Sequence, residues 1–154
     1  MSCGSTNPCK CEKSCARNYN LVAQPFVANA TTPIIVNGNQ VVLTSKAIQV
    51  LNNGYQIVKS GLYRLTADIS IVGTAAGTVT LQMYLDGVAL PCTIRRQTIA
   101  ASGAVSIHSE TDLDLDSVCC CNNSVNHRIT FAVVTDSAAA GSITSTCTGV
   151  LKLD

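Results

Sequence analysis

The chain has 154 residues, of which 12% are charged and 4% aromatic, with no Trp and a formal net charge of +1. This length suits a single domain with its own core, and the small net charge argues against a broad basic surface for nucleic acid. No run approaches the roughly 18 apolar residues of a membrane span, so we expect neither nucleic acid nor a membrane as a partner.

The first 20 residues differ from the rest of the chain. Cys3, Cys9, Cys11 and Cys15 lie there among small and polar residues, and almost no large apolar residue precedes Tyr19. A segment of this composition cannot bury enough apolar surface to form a core. We therefore divide the chain into a cysteine-rich N-terminal arm, residues 1–20, and a β domain, residues 21–154.

Three interpretations of the cysteines in the arm stay open. Four thiolates can close a tetrahedral zinc site, the same thiols can anchor or cross-link the arm, and an inert tail is the third reading. The spacing C-x5-C-x-C-x3-C lacks the paired C-x2-C knuckles of common zinc sites. Anchoring or cross-linking is therefore favoured, and no cofactor is expected.

The nine cysteines also bear on the compartment. Such a number is typical of oxidised, secreted proteins, yet the N-terminus has no apolar segment of the kind found in a signal peptide. We expect synthesis in the cytoplasm, with the cysteines reduced, bound to metal, or oxidised only after release from the cell. Virion and spore-surface components meet the last condition, because they are assembled inside the cell.

From residue 21 onward the sequence predicts strands. The runs LVAQPFVA, PIIVNGNQVVLTS and KAIQVLNNGYQIVK are short apolar stretches, and Asn37-Gly38 and Asn53-Gly54 mark turns between them. Pro25 and Pro33 place the first of these strands at sheet edges.

The stretch Ser60 to Gly87 has the clearest alternation. Apolar side chains fall on every second residue, at Tyr63, Leu65, Ala67, Ile69 and Ile71, and again at Val79, Leu81, Met83 and Leu85. This period of two predicts two strands that each bury one face. Asp86-Gly87 then predicts a hairpin turn.

Two further strands are predicted before the second cysteine cluster. The strand Val88 to Ile99 places Leu90, Cys92 and Ile94 on one face, and Pro91 suggests an edge or bulge. In the strand Ala104 to Asp116 the apolar side chains lie on one face. The opposite face carries His108, Glu110, Asp112, Asp114 and Asp116. We interpret this acidic face as solvated rather than as a calcium site, because it has no Gly-containing calcium loop.

The three consecutive thiols Cys119, Cys120 and Cys121 begin a turn-rich loop. Adjacent cysteines form strained disulfides, so we expect these thiols to cross-link to partners elsewhere. In the next strand Ile129, Phe131 and Val133 face the core, and in the last strand Leu151 and Leu153 indicate that this end is tied into a sheet.

No catalytic motif is apparent. The sequence has no Gly-rich phosphate loop, no H-E-x-x-H and no G-x-S-x-G, and its two histidines are His108 and His127. We expect no enzyme, no catalytic residue and no metal ligand outside the arm. About eight to ten strands joined by short turns, without a helix, predict an all-β fold, a two-sheet antiparallel jelly roll with an extended N-terminal arm.

Two segments carry a family resemblance. Gly61-Leu62-Tyr63-Arg64-Leu65 resembles the G-x-Y-x-[FL] strand opening of C1q/TNF-like jelly rolls, and GTVTLQMYLDGVALP resembles the hairpin that follows it in the modules of bacteriophage virions and Firmicute spore surfaces. The resemblance covers about residues 40–154. It implies a trimer with the chain termini near one base and a distal surface free for contact, where a host surface could bind.

These observations lead to competing functional hypotheses. The first is a structural virion protein, a trimeric capsid decoration or head-fibre module attached to particle proteins through the arm. The second is a spore-surface fibre protein cross-linked by its cysteines, and the third is a metal- or ligand-binding module. For the oligomer interface we predict Tyr55, Tyr63 and Tyr84, which offer contact area without charge.

Overall fold

The computed structural model describes residues 14–27, 33–38, 40–43, 45–116, 123–136 and 138–153. Within these ranges the chain forms thirteen strands and one short 3-10 helix. All strand pairs are antiparallel. The strands form two sheets, so the fold is the all-β, two-sheet jelly roll predicted from the sequence.

The first sheet has the order β11-β7-β13-β1-β4, and β2 also pairs with β13. Its strands are β1 (Ser14–Asn20), β2 (Gln24–Phe26), β4 (Gln40–Leu43), β7 (Gly61–Ala75), β11 (Ala104–Leu115) and β13 (Ala140–Lys152).

The second sheet has the order β10-β8-β12-β6-β5, with β3 paired to β12 and β9 paired to β8. Its strands are β3 (Ile34–Ile35), β5 (Ile48–Leu51), β6 (Gly54–Lys59), β8 (Gly77–Leu85), β9 (Val88–Ala89), β10 (Arg95–Ile99) and β12 (Ser124–Thr135). The chain crosses between the sheets at β2–β3, β3–β4, β4–β5, β6–β7, β7–β8, β10–β11, β11–β12 and β12–β13.

The core lies between the sheets and follows the alternation in the sequence. On β7 the predicted inward residues Tyr63, Leu65 and Ile69 are at most 2% exposed, and from the facing sheet Leu81 and Phe131 are equally buried. Tyr55 contacts Phe131 edge to face, with ring centroids 6.0 Å apart. The predicted inward faces of these central strands are therefore confirmed.

A polar bridge joins the two sheets inside this core. The hydroxyl of Tyr55 on β6 lies 2.9 Å from the carbonyl oxygen of Thr148 and 2.8 Å from its Oγ1 on β13. Burial raises the pKa of Tyr55 to about 12, although the hydrogen bond to Thr148 acts in the opposite direction. The phenol is therefore neutral at physiological pH and serves as a structural hydrogen-bonding group.

The N-terminal part of the sandwich differs from the prediction. Strand β1 begins at Ser14, inside the predicted arm, and lies between β13 and β4. Its residues Ala16 and Asn18 are 0% and 4% exposed. Small and polar residues suffice here because β1 pairs along its length with β13, so backbone hydrogen bonds replace the missing apolar side chains.

The segment after the Asp86-Gly87 turn also differs. The predicted strand Val88 to Ile99 is interrupted by a 3-10 helix, Pro91–Thr93, because Pro91 lacks the N–H that a ladder requires. The break exposes Cys92 and buries Thr93, the reverse of the predicted face. Thr93 Oγ1 accepts a hydrogen bond from Met83 N at 3.0 Å and donates to Leu90 O at 2.6 Å.

The last strand lies within the first sheet, as predicted. Its inward side chains are those of Val150 and Lys152, which are 1% and 0% exposed, rather than those of Leu151 and Leu153. Register shifts near Ile143 and Ser145 change the parity that a continuous alternation would give.

Candidate functional site

The outward surfaces of the two sheets differ in charge. The surface of β1, β13, β7 and β11, here called the charged face, carries Arg17, Arg64, Asp68, His108, Glu110 and Asp112. The centre of the other sheet, here called the uncharged face, is formed by β8 and β12 and presents Thr78, Thr80, Gln82, Tyr84, Thr130 and Val134, of which Thr80 is only 9% exposed. Both faces are candidate contact surfaces.

Strand register places the side chains of the charged face in rows. Tyr19 on β1 is opposite Cys147 on β13, Cys147 is opposite Asp68 on β7, and Asp68 is opposite His108 on β11. His108 Nδ1 lies 2.7 Å from Asp68 Oδ1. The sequence predicted that the acidic residues of β11 face outward, which the structure confirms, but it did not indicate these neighbours.

An ion-pair cluster lies further along the same face. Arg64 donates from Nε to Asp112 Oδ1 at 2.9 Å and from Nη2 to Asp112 Oδ2 at 3.2 Å, and its Nε is 3.3 Å from Glu110 Oε1. This hydrogen bonding raises the pKa of Arg64 and lowers the pKa of Asp112. The side chains are about half exposed to water, so such pairs add little stability.

A groove of about 450 Å³ crosses the charged face. Ser145, Ser70 and Ser106 are aligned on three neighbouring strands and line this groove. It is bounded at one end by Tyr19 and at the other by His108. Short serine side chains between larger neighbours explain why the surface is concave here.

The uncharged face is an array of hydroxyl, amide and apolar groups. Val134 is opposite Thr80, which in turn is opposite Arg96 of β10 at the margin. Tyr84 donates its hydroxyl hydrogen to Gln82 Oε1 at 2.8 Å. The charged side chains of Arg96 and Asp136 line one pocket together with Thr80 and Val134.

A second carboxylate–imidazole cluster lies at one end of the sandwich. His127 on β12 lies 2.7 Å from Asp86 Oδ2 through Nδ1 and 3.1 Å from Asp116 Oδ2 through Nε2. Its two hydrogen bonds to these carboxylates raise the pKa of His127. Burial acts to raise the pKa of Asp86, but the hydrogen bonds from His127 and from the Arg128 N–H outweigh it and lower that pKa. The cluster connects the β8–β9 turn to the end of β11.

The predicted cysteine sites are only partly within the described residues. Cys15 lies on β1 with a half-buried side chain and is a free thiol, as are the exposed Cys92 and Cys147. Cys3, Cys9, Cys11, Cys119, Cys120 and Cys121 lie outside the described ranges. Their predicted roles in anchoring or cross-linking, and the alternative zinc site, stay predictions.

The three tyrosines predicted at an oligomer interface lie in different environments. Tyr55 and Tyr63 are 1% and 0% exposed within the sandwich, and Tyr63 donates its hydroxyl hydrogen to Lys59 O at 2.6 Å. We therefore reassign these two to the core of the single chain, because strand parity turns them inward. Tyr84 lies on the uncharged face, where the interface prediction still applies.

Both histidines already contact carboxylates. On the charged face Asp68 separates Cys147 from His108, so about two strand spacings, roughly 10 Å, lie between thiol and imidazole. A base must be within hydrogen-bond reach of its nucleophile. Both ring nitrogens of His127 already contact carboxylates.

The described part of the chain holds neither a candidate metal cluster nor a candidate membrane-spanning helix. Among those residues, no group of three or more His, Cys, Asp and Glu side chains could hold a metal ion. No helix within the same ranges is long and apolar enough to cross a membrane.

Comparisons with known proteins bear on the fold. No protein-family model matches the sequence, and no curated protein matches it. Among solved structures, PRD1 vertex protein P5 is similar with a TM-score of 0.57 and 14% sequence identity, over 91% of this chain and 73% of that one. At this identity the similarity shows a shared fold, and the resemblance to C1q/TNF-like modules stays a prediction.

Proposed function

We propose that this protein is a structural, non-enzymatic virion protein that assembles as a homotrimer through its uncharged face and is held on a particle by its N-terminal residues. The difference in charge between the two outward faces carries this proposal. An assembling subunit needs one face that can be covered at low desolvation cost and another that stays in water. Val134, Thr130 and Tyr84 belong to the first kind of face, and Arg64, Asp112 and Glu110 to the second.

The fold comparison supports the same proposal. The similar structure is named a vertex protein, which makes a particle a reasonable setting for this chain. The number of subunits comes from the C1q/TNF-like resemblance of Gly61-Leu62-Tyr63-Arg64-Leu65. Attachment through the N-terminus comes from the composition of the residues before Ser14, where Cys3, Cys9 and Cys11 lie.

A matched pair of substitutions tests the assembly face. Val134→Glu places a carboxylate on the uncharged face, whereas Val72→Glu places the same group on β7 at the charged face, where Val72 is 39% exposed. We expect Val134→Glu to shift the protein toward monomer, because burying a carboxylate at a subunit interface has a large desolvation cost. Val72→Glu should keep the wild-type mass.

Sedimentation velocity at several protein concentrations measures the outcome. A monomeric wild-type protein would refute assembly. If only Val72→Glu produced a monomer, the oligomer interface would lie on the charged face instead. Circular dichroism of each variant establishes that the sandwich is folded. Assembly without particle attachment would support the interface and refute the anchoring role of the N-terminal residues.

The free thiols favour a second candidate, a cross-linked surface fibre. Cys92 and Cys147 are exposed, and neither is paired within the described residues. Thiols on two sides of a subunit could join neighbours covalently after oxidation. In that case assemblies taken from their native source would dissociate only with a reductant.

A further inference from the structure

The groove on the charged face has a polar floor built from neighbouring strands. Ser145, Ser70 and Ser106 form one row, and the adjoining row contains Asp68 and His108. Within the described residues, none of the three serine hydroxyls has a hydrogen-bond partner. These groups can therefore donate to or accept from a bound molecule.

Asp68 supplies an acceptor in the same groove. Its Oδ1 is bonded to His108 Nδ1 at 2.7 Å. Its Oδ2 makes no hydrogen bond to the described part of the chain and remains an acceptor for a ligand hydroxyl. A carboxylate hydrogen bond is stronger than a neutral one.

The end of the groove near β1 is apolar. Tyr19 and Leu21 line it, and Leu21 is 67% exposed. An aromatic ring and an aliphatic side chain beside convergent polar groups are typical of pockets that orient a small ligand. From Tyr19 on β1 to His108 on β11 the row spans three strand spacings, about 14 Å.

The charges in the groove restrict the ligand. Of the described residues that line it, none is Lys or Arg, Asp68 is acidic, and the imidazole of His108 contacts that carboxylate. An anionic ligand would meet the Asp68 carboxylate with no lining group beyond the His108 imidazole to balance the charge, which is unfavourable. A neutral molecule with many hydroxyls and one apolar face fits the hydroxyl row, the carboxylate and the aromatic ring together.

We propose that this groove binds a neutral sugar residue of a glycan, with the serine row and Asp68 bonding its hydroxyls and the Tyr19 ring covering its apolar face. The site needs only β1, β13, β7 and β11 of one chain. The proposal therefore goes beyond the assembly role and does not depend on it.

Titration of the isotope-labelled full-length protein tests the proposal by NMR. The probes are the methyl glycosides of galactose, glucose and N-acetylglucosamine, with N-acetylneuraminic acid as the charged comparison. We expect at least one neutral sugar to give saturable amide shifts at millimolar concentration, centred on Asp68, Ser70 and Ser106. The charged sugar should bind more weakly.

Variants on the same face provide the controls. Asp68→Asn should weaken binding at least about tenfold, because a hydrogen bond to a charged group is lost. Ser106→Leu should abolish sugar binding, because the leucine side chain would occupy the groove. This variant tests the proposal if Asp68→Asn fails to fold. Asp112→Asn, outside the groove, should change affinity less than about twofold. Absence of shifts with all three neutral sugars, tighter binding of the acidic sugar, or an equal loss in Asp112→Asn would overturn the proposal.

Discussion

His127 bridges two acidic side chains that come from different connections of the chain. Asp86 belongs to the turn after β8 and Asp116 follows β11, and both adopt positive φ, 51° and 57°. The Asp86 carboxylate also accepts from the backbone N–H of Arg128 at 2.7 Å. These contacts hold one end of the sandwich together most strongly when the imidazole is protonated.

The raised pKa of His127 therefore predicts a pH-dependent contribution to stability. Because the folded pKa lies above the unfolded value of about 6.5, the contribution is complete below pH of about 6.5 and disappears as pH rises through the folded pKa. At low pH the contribution ends when Asp86 becomes protonated. Because the pKa of Asp86 is lowered in the folded state, this happens only below the usual titration range of an aspartate. The expected size is about 1 kcal/mol or less, since the carboxylates are partly exposed.

Thermal unfolding of the wild type and of His127→Gln from pH 5 to pH 9 measures this contribution. The wild type should be more stable than the variant by a few degrees near pH 5.5, and the difference should shrink by pH 9. A wild-type advantage that grows with pH would contradict the assignment.

At the scale of the element, β1 shows how a strand forms without an apolar pattern. It places Ala16 in the core and pairs from Ser14 to Asn20 with β13. Removing it would expose the edge of β13, and unpaired edges destabilise and aggregate. Within the described residues this pairing begins at Ser14, opposite Lys152.

Two truncations separate these roles. Deletion of residues 1–13 should leave the melting temperature within a few degrees of the full-length value, whereas deletion of residues 1–20 should lower it by more than about 10 °C or give insoluble protein. Circular dichroism melts of both proteins measure the difference. If deletion of residues 1–13 is equally damaging, that segment contributes folding energy, as a zinc site at Cys3, Cys9, Cys11 and Cys15 would.

A strand can be predicted from the sequence when its own residues show which side chains are buried. In β7 and β8 every inward position is apolar, so Leu65 and Leu81 could be placed in the core from alternation alone. In β1 the inward Asn18 is polar and tertiary pairing decides the structure. Around Pro91 a single proline changes a strand into a 3-10 helix and reverses the face of Cys92 and Thr93.

Over the whole molecule, the surfaces depend on which strands become neighbours. The serine row joins Ser70, Ser106 and Ser145 from three strands that are distant in sequence, and the His127 cluster joins two distant turns. Sequence parity predicts that such residues point outward, but not their register with one another. The groove and the His127 cluster therefore could not be predicted from the sequence, whereas the acidic face of β11 could.

The charge distribution over the whole molecule makes a prediction about how copies associate. Contacts through Thr80, Gln82, Tyr84, Thr130 and Val134 contain no ion pair at their centre, so salt screening should affect them little. We expect the sedimentation mass of the oligomer to be unchanged between about 0.05 and 1 M NaCl, and unchanged on adding a reductant.

Dissociation in high salt would instead indicate assembly through the charged face around Arg64 and Asp112. Dissociation only in reductant would indicate cross-linking by cysteines, and replacing Cys92 and Cys147 with Ser would then reproduce the effect without reductant.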